Sequence, residues 1–223
     1  QRPSFHLLEA LLWEPDQGYF LLEAHLARLA DTALYFGAPL DQAAIETGLM
    51  ELAQTLGEAS KIRVRVAMDG RFTLEAEPLA QGAVSLPLRV GLAREPVNSG
   101  TVWLYHKTTR REIYAAARAT RPECDEVILW NERGELTEAS SANLVLDLAG
   151  DWVTPPVTSG LLAGTFRGEL LAQGRIREQV LTGADLRRAD HIVLINSVRR
   201  WQSAILVDES PNRSMEPGQS PGG

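Results

Sequence analysis

Apolar residues at 22, 26, 29, 33 and 36 recur at helical intervals, and Gly37-Ala38-Pro39 follows at once. That spacing predicts an amphipathic helix over 22–36, closed by a glycine and a proline. Asp41 is placed to cap a second helix running to about residue 55, with Ile45, Leu49 and Leu52 on one face. The period then falls to two. Lys61-Ile62-Arg63-Val64-Arg65-Val66 alternates, Asp69-Gly70 supplies a turn, and 71–75 runs back as the second strand of a hairpin with one solvated face. Lys61 belongs to that solvated face. Ahead of the first helix, 5–13 reads as a strand, with helix the rival reading, and Gln17-Gly18 turns the chain before 19–22.

Further along, 88–92 is a strand, and Glu95-Pro96-Val97-Asn98-Ser99-Gly100 holds turn formers without either periodicity, so a domain boundary is expected at 97/98. Beyond it the pattern predicts strands at 101–105, 126–131, 142–147, 152–154, near 177–180 and at 191–195. Helices are expected from about 109 to 119, over 165–173 and over 183–188. Strands and helices mix without strict alternation, which favours an α+β fold over a doubly wound α/β fold. The division expected is a small α/β domain over 1–97, a second domain over 98–207, and a flexible tail over 208–223. That tail holds three Pro, three Gly and Met215 as its one large apolar side chain.

Composition narrows the function. The 223 residues carry a formal net charge of −7, and one cysteine, Cys124, is present, which cannot form an internal disulfide. No stretch approaches the roughly 18 apolar residues of a membrane helix, so a reducing, cytoplasmic setting is expected with no membrane partner. The acidic balance argues against a nucleic-acid partner, while a local arginine cluster remains suited to a small anion. Histidines at 6, 25, 106 and 191 are scattered and Cys124 has no partner at zinc-like spacing, so no metal site is expected. The chain opens on Gln1, and Glu9 interrupts any signal-peptide layout; it is read as a piece of a longer protein. Of 22 basic residues, 20 are arginine and two, Lys61 and Lys107, are lysine. Any chemistry that needs a lysine amine has two candidates.

Lys107 stands at the end of the apolar run 101–105, just before a helix, with Arg110 and Arg111 beside it. An element's end can aim an amine into a cleft, where desolvation and neighbouring cations lower its pKa and make it nucleophilic. A lysine with its head in water is the alternative reading for the position alone. Downstream come Glu135-Leu-Thr-Glu138-Ala-Ser-Ser-Ala-Asn143, Gly160-Leu-Leu-Ala-Gly164-Thr165-Phe166-Arg167 and Ile195-Asn196-Ser197-Val198-Arg199. In this order and spacing, from about residue 5 to 207, the set resembles the class IV pyridoxal-phosphate enzymes. That family includes branched-chain and D-amino-acid aminotransferases and 4-amino-4-deoxychorismate lyases.

The resemblance implies a two-domain fold with a barrel-like C-terminal half, and pyridoxal 5′-phosphate as cofactor. It makes Lys107 the Schiff-base lysine and Glu138, in the Glu-x-x-x-x-Asn pattern ending at Asn143, the partner of the pyridine nitrogen. A carboxylate there keeps the ring protonated and electron-withdrawing. Arg28, the helix start at Gly164-Thr165-Phe166, and Asn196 with Ser197 are implied as the phosphate site. Where aminotransferases of the family carry Gly-Ile-Thr-Arg and Gly-Thr, this chain has Gly164-Thr165-Phe166-Arg167 and Asn196-Ser197. Together with Tyr105-His-Lys-Thr-Thr-Arg-Arg-Glu-Ile-Tyr114, these departures point toward the lyase branch, as found fused behind chorismate-aminating synthases. The expected reaction is release of pyruvate from a small dicarboxylate to give 4-aminobenzoate, a step of folate synthesis. An aminotransferase on branched-chain or D-amino acids and a non-catalytic cofactor-binding domain are the alternatives. Arg111, Arg199 and Arg200 are candidates for the substrate carboxylates and Tyr114 for the cofactor's ring hydroxyl. Relatives are dimers, which implies a homodimer here.

Overall fold

A computed structural model describes residues 5–79 and 87–207; the expected tail over 208–223 lies outside them. Strands β1 (His6–Glu14) and β2 (Gly18–Tyr19) precede helices α1 (Leu22–Phe36) and α2 (Gln42–Ala53), and the hairpin β3 (Ser60–Ala67) and β4 (Phe72–Pro78) follows. The strands form one antiparallel sheet in the order β2-β1-β3-β4. Gly37 ends α1 in the left-handed conformation at φ 67°, and the Asp41 carboxylate caps α2 by accepting from the Ala44 amide at 3.0 Å. Leu26 and Leu29 of α1 and Ile45 and Leu49 of α2 pack with Leu7, Leu11, Ile62, Val64 and Val66 of the sheet in one buried cluster.

β5 (Leu88–Leu92) already belongs to a second sheet, so the change of sheet falls between Pro78 and Leu88, ahead of the boundary expected at 97/98. After it come α3 (Glu112–Ala119), β6 (Glu126–Trp130), β7 (Leu136–Ala139), β8 (Asn143–Leu148), β9 (Asp151–Thr154), α4 (Thr165–Ala172), β10 (Arg177–Glu178), α5 (Gly183–Arg188), β11 (His191–Asn196) and β12 (Arg200–Leu206). Six strands in the order β8-β11-β12-β5-β6-β7 close on themselves through a β7–β8 pairing, and β9 and β10 extend from β8. Closure leaves none of these six strands as an edge. It also places Glu138 directly across from Asn143 in the register. Leu136, Leu144, Leu146, Leu194, Ile128 and Val90 fill the barrel, while Phe166 and Leu170 of α4 pack against Val145, Val193 and Ile195 on its outside.

The strand expected at 101–105 is absent. Residues Val102–Leu104 form a single 3-10 turn, with the Tyr105 amide donating to the Val102 carbonyl at 3.1 Å. The apolar run there serves packing rather than a ladder: Trp103 stacks on Phe36 at 5.5 Å and Leu104 is fully buried. The chain then bonds to the first sheet. The Leu8 amide donates to the Lys107 carbonyl at 3.0 Å and the Thr109 amide to the His6 carbonyl at 2.9 Å. Thr108 bridges Leu7, and α3 starts at Glu112, after this pairing.

Candidate active site

A cavity of about 880 Å3 lies between the first sheet and the barrel. Lys107 borders it, its backbone fixed by β1 and not by a strand of its own. Burial pulls its ammonium down to about 8, helped by the Arg28 and Arg111 guanidiniums and opposed by Glu9 and Glu138. An amine so placed is neutral for an appreciable fraction of the time near neutrality, as nucleophilic chemistry requires.

Glu138 is 4% exposed. Its Oε1 accepts from the Tyr114 hydroxyl at 2.7 Å and the Leu162 amide at 3.2 Å, and its Oε2 faces the Asn143 amide nitrogen at 3.4 Å. Burial pushes this carboxyl up to about 7, while the bonds from Tyr114 and Leu162 and the charges of Lys107 and Arg111 hold it down. Tyr114 itself is pushed well up by burial and by Glu138, so its hydroxyl stays protonated and donates.

The start of α4 also borders the cavity. Its N-cap is Gly164, where an added Cβ would stand 2.0 Å from the Asn143 Oδ1, so only glycine fits. Thr165 and Phe166 open the helix, whose first amides have no partner inside it and form an anion site with the helix dipole. The Phe166 ring lies against Phe20 and Trp201 in the core, so this residue offers its amide alone. Ser197 borders the cavity and donates to the Ala10 carbonyl at 3.3 Å. Asn196 accepts the Val198 and Arg199 amides at 3.0 and 2.7 Å and so fixes the turn.

Arg28 reaches the cavity from α1, but its fork is already engaged. Nε and Nη2 donate to the two oxygens of Glu9 at 2.8 and 2.7 Å, and Nη1 to the Ala163 carbonyl at 3.1 Å. A guanidinium has five N–H donors, so two remain for an anion. Burial alone would raise Glu9, yet Arg28 and His25 more than reverse it and hold the carboxyl at about 2. The fully buried His25 links Glu9, 2.7 Å from Nδ1, to the Thr165 hydroxyl, 3.2 Å from Nε2. Sequence reasoning missed Glu9 and His25, although a carboxylate inside the run Leu7-Leu8-Glu9-Ala10-Leu11 has to find a buried partner.

Two expectations about cations change. Lys61 is not on a solvated face: with Arg63 it lines the same cavity, half-buried, and burial together with Arg63, Arg199 and Arg111 lowers its pKa against the opposing pull of Glu77. Arg200 lies away from the cavity lining, paired with Glu14 at 2.5 Å and stacked 4.7 Å over Phe20, because the β11–β12 turn points it to the β1–β2 hairpin. Arg111 and Arg199 do border the cavity. Arg111 donates to the Ser140 carbonyl and sits 4.5 Å over the Tyr114 ring.

The model of one protein family, amino-transferase class IV, matches residues 6–205. The chain belongs to that family. A Schizosaccharomyces pombe relative named as an aminodeoxychorismate lyase is 30% identical over 221 residues, covering 95% of this chain and 93% of its own. Among solved structures, a Mesorhizobium loti protein described as an amino-acid aminotransferase superposes at a TM-score of 0.85 with 34% identity, over 91% of this chain and 100% of its own. A Legionella pneumophila protein described as a 4-amino-4-deoxychorismate lyase shares the fold at 0.83 with 17% identity, over 91% and 83%. Class IV enzymes are pyridoxal-phosphate dependent, and the site fits that group. It offers a lysine of lowered pKa, a buried carboxylate near it, and a glycine-started helix with an arginine bonded beside its first turn. No helix among the described residues is long and apolar enough to cross a membrane.

Proposed function

We propose that the protein is a 4-amino-4-deoxychorismate lyase. The observation that carries this reading is the cationic wall. Lys61, Arg63, Arg111 and Arg199 border the cavity that holds Lys107, alongside Glu77, Asp125 and Glu126, with Arg63 paired to Glu77 at 3.2 Å, in a chain whose net charge is −7. A cluster of that sign attracts and orients a substrate with two carboxylates.

In this reading Arg28, the first amides of α4 and Ser197 hold the cofactor phosphate, and Glu138 holds a proton at the pyridine nitrogen. Pyridoxal phosphate bound there supplies a carbonyl for an amine and a cationic ring that withdraws an electron pair from the substrate. Lys107 would anchor the cofactor and, with its amine free, would take the C4 proton of the substrate at Nζ. The electrons of that C–H bond become a ring double bond as the C3–O bond breaks, and the departing enolate collects a proton to become pyruvate. The aromatic product, 4-aminobenzoate, makes the step irreversible. The cations on the wall hold both carboxylates and keep C4 beside Nζ.

The relation to an aminotransferase at 34% identity keeps one second reading, since a 2-oxo dicarboxylate would also suit the wall. The purified protein with aminodeoxychorismate should release 4-aminobenzoate and pyruvate in equal amounts. Turnover of a branched-chain or D-amino acid with 2-oxoglutarate, and none of aminodeoxychorismate, would replace the lyase reading with the second one.

A further inference from the structure

Tyr114 was expected to meet the cofactor's ring hydroxyl, and the structure gives it other work. Its hydroxyl is committed to Glu138 Oε1 at 2.7 Å, both groups are buried, and the Tyr114 proton is held firmly. A carboxylate oxygen accepts about two hydrogen bonds. Among the described residues Oε1 has two, from Tyr114 and from the Leu162 amide, whereas Oε2 has a single long contact to Asn143. The carboxylate is thus turned so that Oε1 is filled and Oε2 is the oxygen with capacity to spare.

We propose that Tyr114 is a positioning residue: it saturates Oε1 of Glu138, keeps that carboxylate anionic, and leaves Oε2 to pair with the protonated pyridine nitrogen of the cofactor. This rests on the placement of the cofactor at Lys107 and Glu138 and is independent of the substrate. The groups that face Glu138 are Tyr114 from α3, Asn143 from β8, the Leu162 amide, and the cations Lys107 and Arg111. Burial drives the carboxyl toward its neutral form, and Tyr114 is the one neutral side chain among them at short distance that opposes it. Without that hydroxyl the proton shared along the Glu138–nitrogen axis moves toward the carboxylate. The ring nitrogen is left neutral and withdraws electrons less.

The resting holoenzyme loaded with cofactor labelled with 15N in its ring reports this directly, because pyridinium and pyridine nitrogens differ widely in chemical shift. At pH 7.5 wild type should give the pyridinium signal, and Tyr114→Phe should shift toward the neutral pyridine position. The pH at which the nitrogen loses its proton should fall by about one unit, the loss of one hydrogen bond to a charged acceptor. Replacing Tyr114 by 3-fluorotyrosine, a stronger donor of almost the same size, should move that pH the other way and covers the case in which the phenylalanine variant fails to fold. An unchanged nitrogen signal in a folded variant overturns the proposal. If the protein takes up no cofactor, it is the cofactor placement that fails. The Glu138 carboxyl followed by 13C NMR in the apo-protein then decides the role of Tyr114, with a titration raised in Tyr114→Phe supporting it and an unmoved one overturning it.

Discussion

Lys61 and Lys107 border one cavity and differ in what surrounds them. Lys61 rises from β3 among Arg63, Arg111 and Arg199, with Glu77 as its one opposing charge among its main influences. Lys107 sits on a segment bridged to β1, and Glu9 and Glu138 both oppose the Arg28 and Arg111 guanidiniums there. Burial leads the lowering at both sites. A lysine crowded by cations is equipped to hold an anion. One whose backbone is fixed, whose proton is loosened and which has a buried carboxylate near it is equipped for covalent chemistry.

Breaking the second region should have the larger effect. Lys107→Ala is expected to lower kcat by about 10²–10⁴-fold through loss of the base alone, measured as pyruvate release, with the cofactor held at most non-covalently. Lys61→Met keeps the stem and removes the charge. One charge-assisted hydrogen bond is worth about 1.5–3 kcal/mol, so KM for the dicarboxylate should rise about ten- to hundredfold with covalent cofactor attachment intact. Equal losses of kcat in the two variants would erase the distinction.

The buried charges also leave a signature in apo-protein stability. Glu138 titrates at about 7 when folded, above its ordinary value of 4.5, so the folded state binds the extra proton between those values. Its contribution is present below about pH 4.5 and lost as pH rises through 7. Lys107 is the reverse case, with a folded value of about 8 against an ordinary 10.5. The unfolded state binds the extra proton in that window, and stability rises with pH across it. Urea unfolding from pH 4 to 11 should show both limbs, with Glu138→Gln flattening the acid limb and Lys107→Met the alkaline one. The smallest effect is expected outside the cavity. Arg200→Ala should cost at most about 1 kcal/mol, since its pair with Glu14 is partly exposed, and leave KM unchanged.

The same contrast explains what could be read from the sequence. The amphipathic stripe of α1, the capped α2 and the β3–β4 alternation were legible because each meets the core on one face. The barrel strands β7 and β12 were not. Leu136–Ala139 is buried on every residue and shows no alternation, and Arg200–Leu206 mixes exposed and buried positions without a clean period. Alternation in β3 showed that Lys61 and Arg63 share a face, but a period of two says nothing about whether that face meets water or a cavity. Glu138 and Asn143 were paired through the family resemblance, on the Glu-x-x-x-x-Asn pattern, and the β7–β8 register sets the two opposite each other. Arg200 was misplaced since proximity to Asn196 and Ser197 along the chain does not fix which side of a strand turn a side chain leaves from.

With two lysines in the chain, one measurement separates the regions outright. Borohydride reduction of the protein loaded with pyridoxal phosphate, followed by peptide mapping, should place a single phosphopyridoxyl group on Lys107 and none on Lys61. Label on Lys61, or no covalent label at all, would contradict the account.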